Sequence, residues 1–278
     1  MDYYVFNENN CRQKVTDEQL DTAFLQKDEL PVHIIAGMGA AKAVKYLPRL
    51  KEALYYEKRR SRHEAIYSIF GIEDKEVISI LKQKESCLTV EELNADGSEK
   101  AFLQALIIRL EGGSSAVRTA FFDPCVNTLV RYRIMFMYYS HFTMVLEDLH
   151  FLIDALEAFA RREEGWIQAL NKDDYTDAVI QGVEAVSKAM ESYNLLEHLS
   201  CDYYSKLAVT GKKLLEMKLD PIVKETIAEF SKGLPPSYAY SMLEPIMNGK
   251  ARGDVKRELN KSLAFLAKMR EKKEEKEE

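Results

Sequence analysis

From Cys125 to Glu164 the chain runs forty residues without a glycine or a proline. A sheet cannot be threaded through such a stretch, because its turns draw on those two residue types. A helix can, so the stretch reads as one very long helix or as two separated by a tight turn. Elsewhere the 12 glycines and 7 prolines of the 278 residues fall mostly where helices should begin or end. Asp123-Pro124 and Asp220-Pro221 each read as an N-cap followed by proline at the first helical position, where its missing N–H costs nothing. Thr16 with Gln19 reads as a capping box opening a short helix.

The apolar residues follow a 3.6 period. One stripe is Phe102, Leu103, Leu106, Ile107 and Leu110, and a second is Val179, Val183, Val186, Met190 and Tyr193. Ile222, Val223, Ile227 and Phe230 form a third, and Val255, Leu259, Leu263 and Leu266 a fourth. Strand alternation is absent apart from a hint at Tyr3 to Phe6. The expected class is all-α.

Ala36-Gly37-Met38, then Ala43-Val44 and Leu47, recurs 34 residues later as Phe70-Gly71-Ile72, then Val77-Ile78 and Leu81. A period of that length suits stacked helical hairpins, each burying its apolar face on its neighbours. Leu47-Pro48-Arg49-Leu50 through Leu54 resembles the first helix of a HEAT repeat. Arg62-His63-Glu64-Ala65 with Ile69-Phe70-Gly71 resembles the second, and Ile72 to Ile78 the entry to the next unit, as in the phycobilisome-lyase-like HEAT subclass. The resemblance covers roughly residues 31–84 and implies an α-solenoid of HEAT-like hairpins with a divergent helical C-terminal half. The same residues have a rival reading, a strand Val32 to Ala36 entering a dinucleotide turn at Gly37-Met38-Gly39. Lys42 stands where that turn needs a small residue, and no second strand ending in an acid follows. A tight helix–helix junction explains the small residues better.

Polar breaks at 84–100, with the turn signal Asn94 to Gly97, and at Gly112-Gly113-Ser114-Ser115 suggest three parts. These are N-terminal repeats over 1–111, divergent repeats or a bundle over 112–269, and a charged tail over 270–278.

Cys11, Cys87, Cys125 and Cys201 have no short spacing, which fits neither a zinc knuckle nor a disulfide framework and suits a reducing compartment. No signal-like start and no apolar run beyond thirteen residues are found, so a cytoplasmic chain without membrane spans is expected. The net charge of −6 disfavours nucleic acid as the main partner. That charge is uneven: residues 250–278 hold ten Lys/Arg and seven Asp/Glu, and the remainder 29 against 38. An acidic body of that kind suits a basic protein partner, as an immunity protein suits a nuclease-type toxin.

Glu147 and His150 form an E-x-x-H on a helix, half of a di-metal motif whose second half is missing, since Glu197-His198 has the wrong spacing. A hydrogen-bonded structural histidine is the better account. Cys125, in the first turn after Asp123-Pro124, reads as a buried structural thiol. No catalytic, cofactor-binding or metal-ligating set emerges. The residues singled out for partner contact are Tyr55, Tyr56, Arg59, Arg60, Tyr238 and Tyr240. The first four lie in a basic turn between two repeat helices, and the last two in a tyrosine-rich stretch after Pro235-Pro236 expected to be exposed. Tyrosine doublets also stand at 3–4, 138–139 and 203–204. Tyrosine adds amphipathic contact area at low entropic cost. The function expected is a non-enzymatic interaction scaffold. The alternatives are a HEAT-type DNA glycosylase, or another DNA-binding helical-repeat protein, and a metal-dependent helical-bundle enzyme using Glu147 and His150.

Overall fold

The structure is a computed structural model that describes residues 1–89, 98–138, 143–190, 200–249, 251 and 253–277. The expected turn at 94–97, Tyr139, Tyr193, Glu197, His198 and Arg252 lie outside them. The described chain is all-α apart from one hairpin, and it divides into two compact units, Met1–Thr143 and Met144–Glu278.

The first unit opens with an antiparallel hairpin, β1 (Asp2–Phe6) and β2 (Arg12–Thr16), in the register Tyr4↔Lys14. Only the first strand has an apolar alternation, so β2 was not foreseen. Val5 and Val15 bury one face, while Tyr4 and Phe6 stay more than half exposed on the other. Seven helices follow: α1 (Asp17–Leu25), α2 (Val32–Ala40), α3 (Leu47–Ala53), α4 (Arg59–Phe70), α5 (Val77–Ser86), α6 (Glu99–Phe122) and α7 (Thr128–Met137). The Thr16–Gln19 capping box is present in both directions. In sequence order α1/α2, α3/α4 and α5/α6 form pairs, and the second helices α2, α4 and α6 pack on one another. The rival nucleotide-turn reading fails, because Val32 to Ala40 is a single helix.

The 34-residue match does not coincide with the helical repeat. α3 and α5 begin at Leu47 and Val77, 30 residues apart. The match pairs Gly37, inside α2, with Gly71, the C-cap of α4. The expected break at Gly112-Gly113 is a kink within α6, where Gly113 takes φ 64°, ψ −160°. The boundary expected at 111/112 therefore falls inside a helix, and the units divide at 143/144 instead.

Asp123-Pro124 does not start a helix. Asp123 caps the end of α6 and its carboxylate accepts the Cys125 N–H at 2.8 Å, making a turn. Asn127 is the real N-cap of α7, accepting from Leu129 N–H. Cys125 is exposed there, not buried, as are the other three cysteines.

The second unit has α8 (Leu146–Arg161), a single turn α9 (Gly165–Gln168), α10 (Lys172–Met190), α11 (Cys201–Glu216), α12 (Pro221–Phe230), α13 (Pro236–Asn248) and α14 (Gly253–Glu277). The glycine-free stretch is thus two helices, α7 and α8. Asp220 and Pro221 open α12 as expected, Asp220 accepting from Ile222 N–H. Packing follows a two-layer rule. α8, α11 and α13 pack side by side, as do α10, α12 and α14, and α8/α10, α11/α12 and α13/α14 form the hairpins joining the layers. Three helical hairpins stacked in this way extend the repeat pattern into the half of the chain where the sequence shows none.

Candidate interaction surfaces

In the first unit Tyr55 and Tyr56 sit between α3 and α4, Arg59 and Arg60 open α4 instead of lying in a turn, and the structure gives the four different tasks. Arg60 reaches back to the hairpin loop. Its guanidinium donates to the carbonyl oxygens of Glu8 (2.5 Å) and Asn7 (2.9 Å) and to Asn10 Oδ1 (2.6 Å). Glu8 in turn accepts the Val32 N–H at 2.9 Å. That caps α2, whose own N-cap residue, Pro31, has no side-chain donor or acceptor to offer. The Tyr56 hydroxyl accepts the Leu30 N–H at 3.2 Å. Arg60 and Tyr56 are thus fold-stabilising residues.

Tyr55 is 51% exposed, its ring 4.9 Å from the Lys84 ammonium. Lys84 is buried because Glu99 Oε1 lies 3.0 Å away, and Glu99 Oε2 takes Arg62 Nε at the same distance. Burial alone would raise the Glu99 carboxyl, but the hydrogen bonds from Lys84 and Arg62 hold it below the ordinary glutamate range. Arg62 also donates to the Tyr56 and Glu57 carbonyls, which fixes the loop carrying Tyr55. Arg59 is exposed at the start of α4. Behind it burial, and next the Arg59 charge, push His63 down to about 4, so its imidazole is neutral at pH 7. Burial pushes the adjacent Glu64 carboxyl up to about 7 against the pull of Arg60.

In the second unit the stretch after Pro235 is not an exposed loop. It forms the first turns of α13, with Ala239 fully buried and Tyr238 and Tyr240 half-buried. Two positions apart on a helix, those tyrosines point about 200° apart and share no face. Tyr238 instead joins a group that the doublet Tyr203-Tyr204 organises. Tyr203 stacks on His150 of α8, centroids 4.5 Å apart at 18°, and Tyr204 meets Tyr238 of α13 at 5.7 Å. Adjacent residues point about 100° apart, so one residue of the pair turns to each neighbouring helix.

Contacts further along show that α8, α11 and α13 run parallel. Lys206 on α11 pairs with Asp154 and Glu157 on α8, and Lys212 pairs with Glu244 on α13. The N-terminal ends of the three helices therefore form one edge, crossed by His150, Tyr203, Tyr204 and Tyr238, each half-buried. Cys201, the first residue of α11, hydrogen-bonds Tyr238, which is the main cause of the raised phenol there, ahead of burial.

His150 stacks on Tyr203, whose hydroxyl lies 3.4 Å from its Nδ1, while its Nε2 is buried. Glu147 is exposed one turn before it. Among the described residues no group of three or more His, Cys, Asp or Glu could hold a metal ion. What the edge offers chemically is aromatic area with phenol hydroxyl groups, a composition found in contact surfaces.

No family model matches the sequence. No curated protein matches it either. One solved structure it is similar to is human deoxyhypusine hydroxylase in complex with glycerol, at 18% identity and a TM-score of 0.35, covering 90% of this chain and 84% of that chain. A likeness of that degree says nothing about this chain's activity.

Proposed function

We propose that the chain is a HEAT-like α-solenoid protein acting without catalysis, as a scaffold that holds a protein partner on its helical surface. The observation carrying this reading is the aromatic edge of α8, α11 and α13. Four half-buried ring side chains from three helices are held in two neighbouring pairs, His150 with Tyr203 and Tyr204 with Tyr238. Scattered exposed aromatics are ordinary on protein surfaces, but a contiguous set is the usual make-up of a contact site. Tyr55, presented by the Arg62–Glu99–Lys84 network, is a second and smaller contact point.

The test is photo-crosslinking in cells that produce the chain naturally, comparing the wild type with Tyr203→Ala and Tyr238→Ala. A partner whose capture drops about tenfold or more in both variants is the expected result, as for residues at the centre of an interface. Equal capture by all three chains would remove the edge from the reading, and with it the reading's support.

A further inference from the structure

Resting on the scaffold reading, we propose that the α8–α11–α13 edge binds an extended cationic segment of the partner, with Lys or Arg side chains laid over the tyrosine rings. The charge balance of the edge selects that chemistry. Glu147 stands exposed in the first turn of α8 and Asp202 in that of α11, while Asp148 beside Glu147 is buried and accepts the Val145 N–H. The first turn of α13 has no acid. Each helix N-terminus contributes about +0.5 of an elementary charge. Three such ends against the two exposed carboxylates alone leave roughly −0.5. Lys206 does not reverse the sign, since it is shared between two carboxylates, Asp154 and Glu157.

Glu147 and Asp202 are both exposed, and neither has an ion-pair partner among the described residues. Glu147 precedes His150 by one turn on the same helix face. Asp202 adjoins Tyr203 and lies near enough to Tyr238 to raise its phenol. Unneutralised carboxylates beside ring faces attract a cation twice, through charge and through the ring quadrupole. A phosphate or an acidic peptide meets the opposite field.

The dimensions set the length of the segment. Three packed helices at 8–10 Å spacing span about 20 Å. An extended chain covers that in roughly six residues.

The test uses the full chain and two fluorescent octapeptides, (Arg-Pro)₄ and (Glu-Pro)₄, which hold an extended polyproline-type conformation, with anisotropy as readout at low and physiological salt. The Arg-Pro peptide is expected to bind and the Glu-Pro peptide not to. Tyr203→Leu and Tyr238→Leu, which leave the charge unchanged, should each weaken Arg-Pro binding about fivefold, as loss of a cation–π contact of that class does. Tyr238→Phe keeps the ring and should bind as the wild type. Asp202→Asn carries no packing load and should weaken binding about threefold at low salt, less at high salt.

Preference for the Glu-Pro peptide overturns the proposal. So does Arg-Pro binding indifferent to both leucine variants, provided circular dichroism shows them folded, or indifferent to Asp202→Asn. The two readings fail separately. If crosslinking in cells depends on Tyr203 and Tyr238 but neither peptide binds, the scaffold stands and the cationic chemistry falls. If neither assay responds to the tyrosines, both fall.

Discussion

His63 and Glu64 are neighbours on α4 whose titrations oppose each other. The imidazole, ordinarily near 6.5, is held at about 4 by burial and by Arg59. Between those values the unfolded chain takes up the proton first, so stability falls as pH drops from 6.5 to 4. The Glu64 carboxyl, ordinarily near 4.5, is lifted to about 7 by burial, so the folded state keeps the proton longer and stability falls as pH rises from 4.5 to 7. Over the shared range the two slopes nearly cancel. Glu64→Gln should uncover stability that climbs with pH up to 6.5, and His63→Gln stability that declines from 4.5 upward. Urea midpoints measured across that range read both directly, and parallel profiles for the two variants would contradict the assignment. Nothing in the letters Arg62-His63-Glu64 announces this, because both shifts arise from burial. Arg60 shows the same limit: its partners Asn7, Glu8 and Asn10 are some fifty positions away.

At the level of elements, local chemistry was legible and long-range chemistry was not. The capping box at Thr16, the proline start at Pro221 and the buried stripe Val179, Val183, Val186 and Met190 stand as read from the sequence. Asp123-Pro124 has the same letters as Asp220-Pro221 and does something else, since Asp123 also ends α6 and turns its carboxylate onto Cys125. The aromatic edge was half visible. The Tyr203-Tyr204 doublet is conspicuous, but its partners His150 and Tyr238 depend on the parallel stacking of three helices. Helix contacts also set tight limits on substitution. A Cβ on Gly39 would approach the Ser68 Cα to 2.7 Å, and Ser68 is itself tied to the Ile35 carbonyl. Gly39→Ala must therefore push α2 from α4, with an expected loss of about 1–3 kcal/mol in chemical unfolding. An unchanged midpoint would show that the junction yields more easily than its packing implies.

Across the whole molecule, each unit has its own apolar interior. Leu20, Ile35, Leu50, Ile66, Leu103 and Ile134 lie in the first, and Leu149, Phe159, Ile167, Val186, Leu214 and Leu243 in the second, all under 2% exposed. Fragments Met1–Thr143 and Met144–Glu278 are each expected to give helical circular dichroism and one cooperative thermal transition. A fragment that melts without cooperativity would mean that its core is completed by the other. Among the described residues no helix is long and apolar enough to cross a membrane. The way Arg60 and Val32 hold the hairpin loop has a consequence for the order in which the unit folds. The loop's two anchors, Val32 and Arg60, stand 24 and 52 positions further along the chain than Glu8. An isolated two-stranded hairpin is at best marginal in water. The hairpin is therefore among the last parts of its unit to settle, because its anchor on α4 closes a loop of 52 residues.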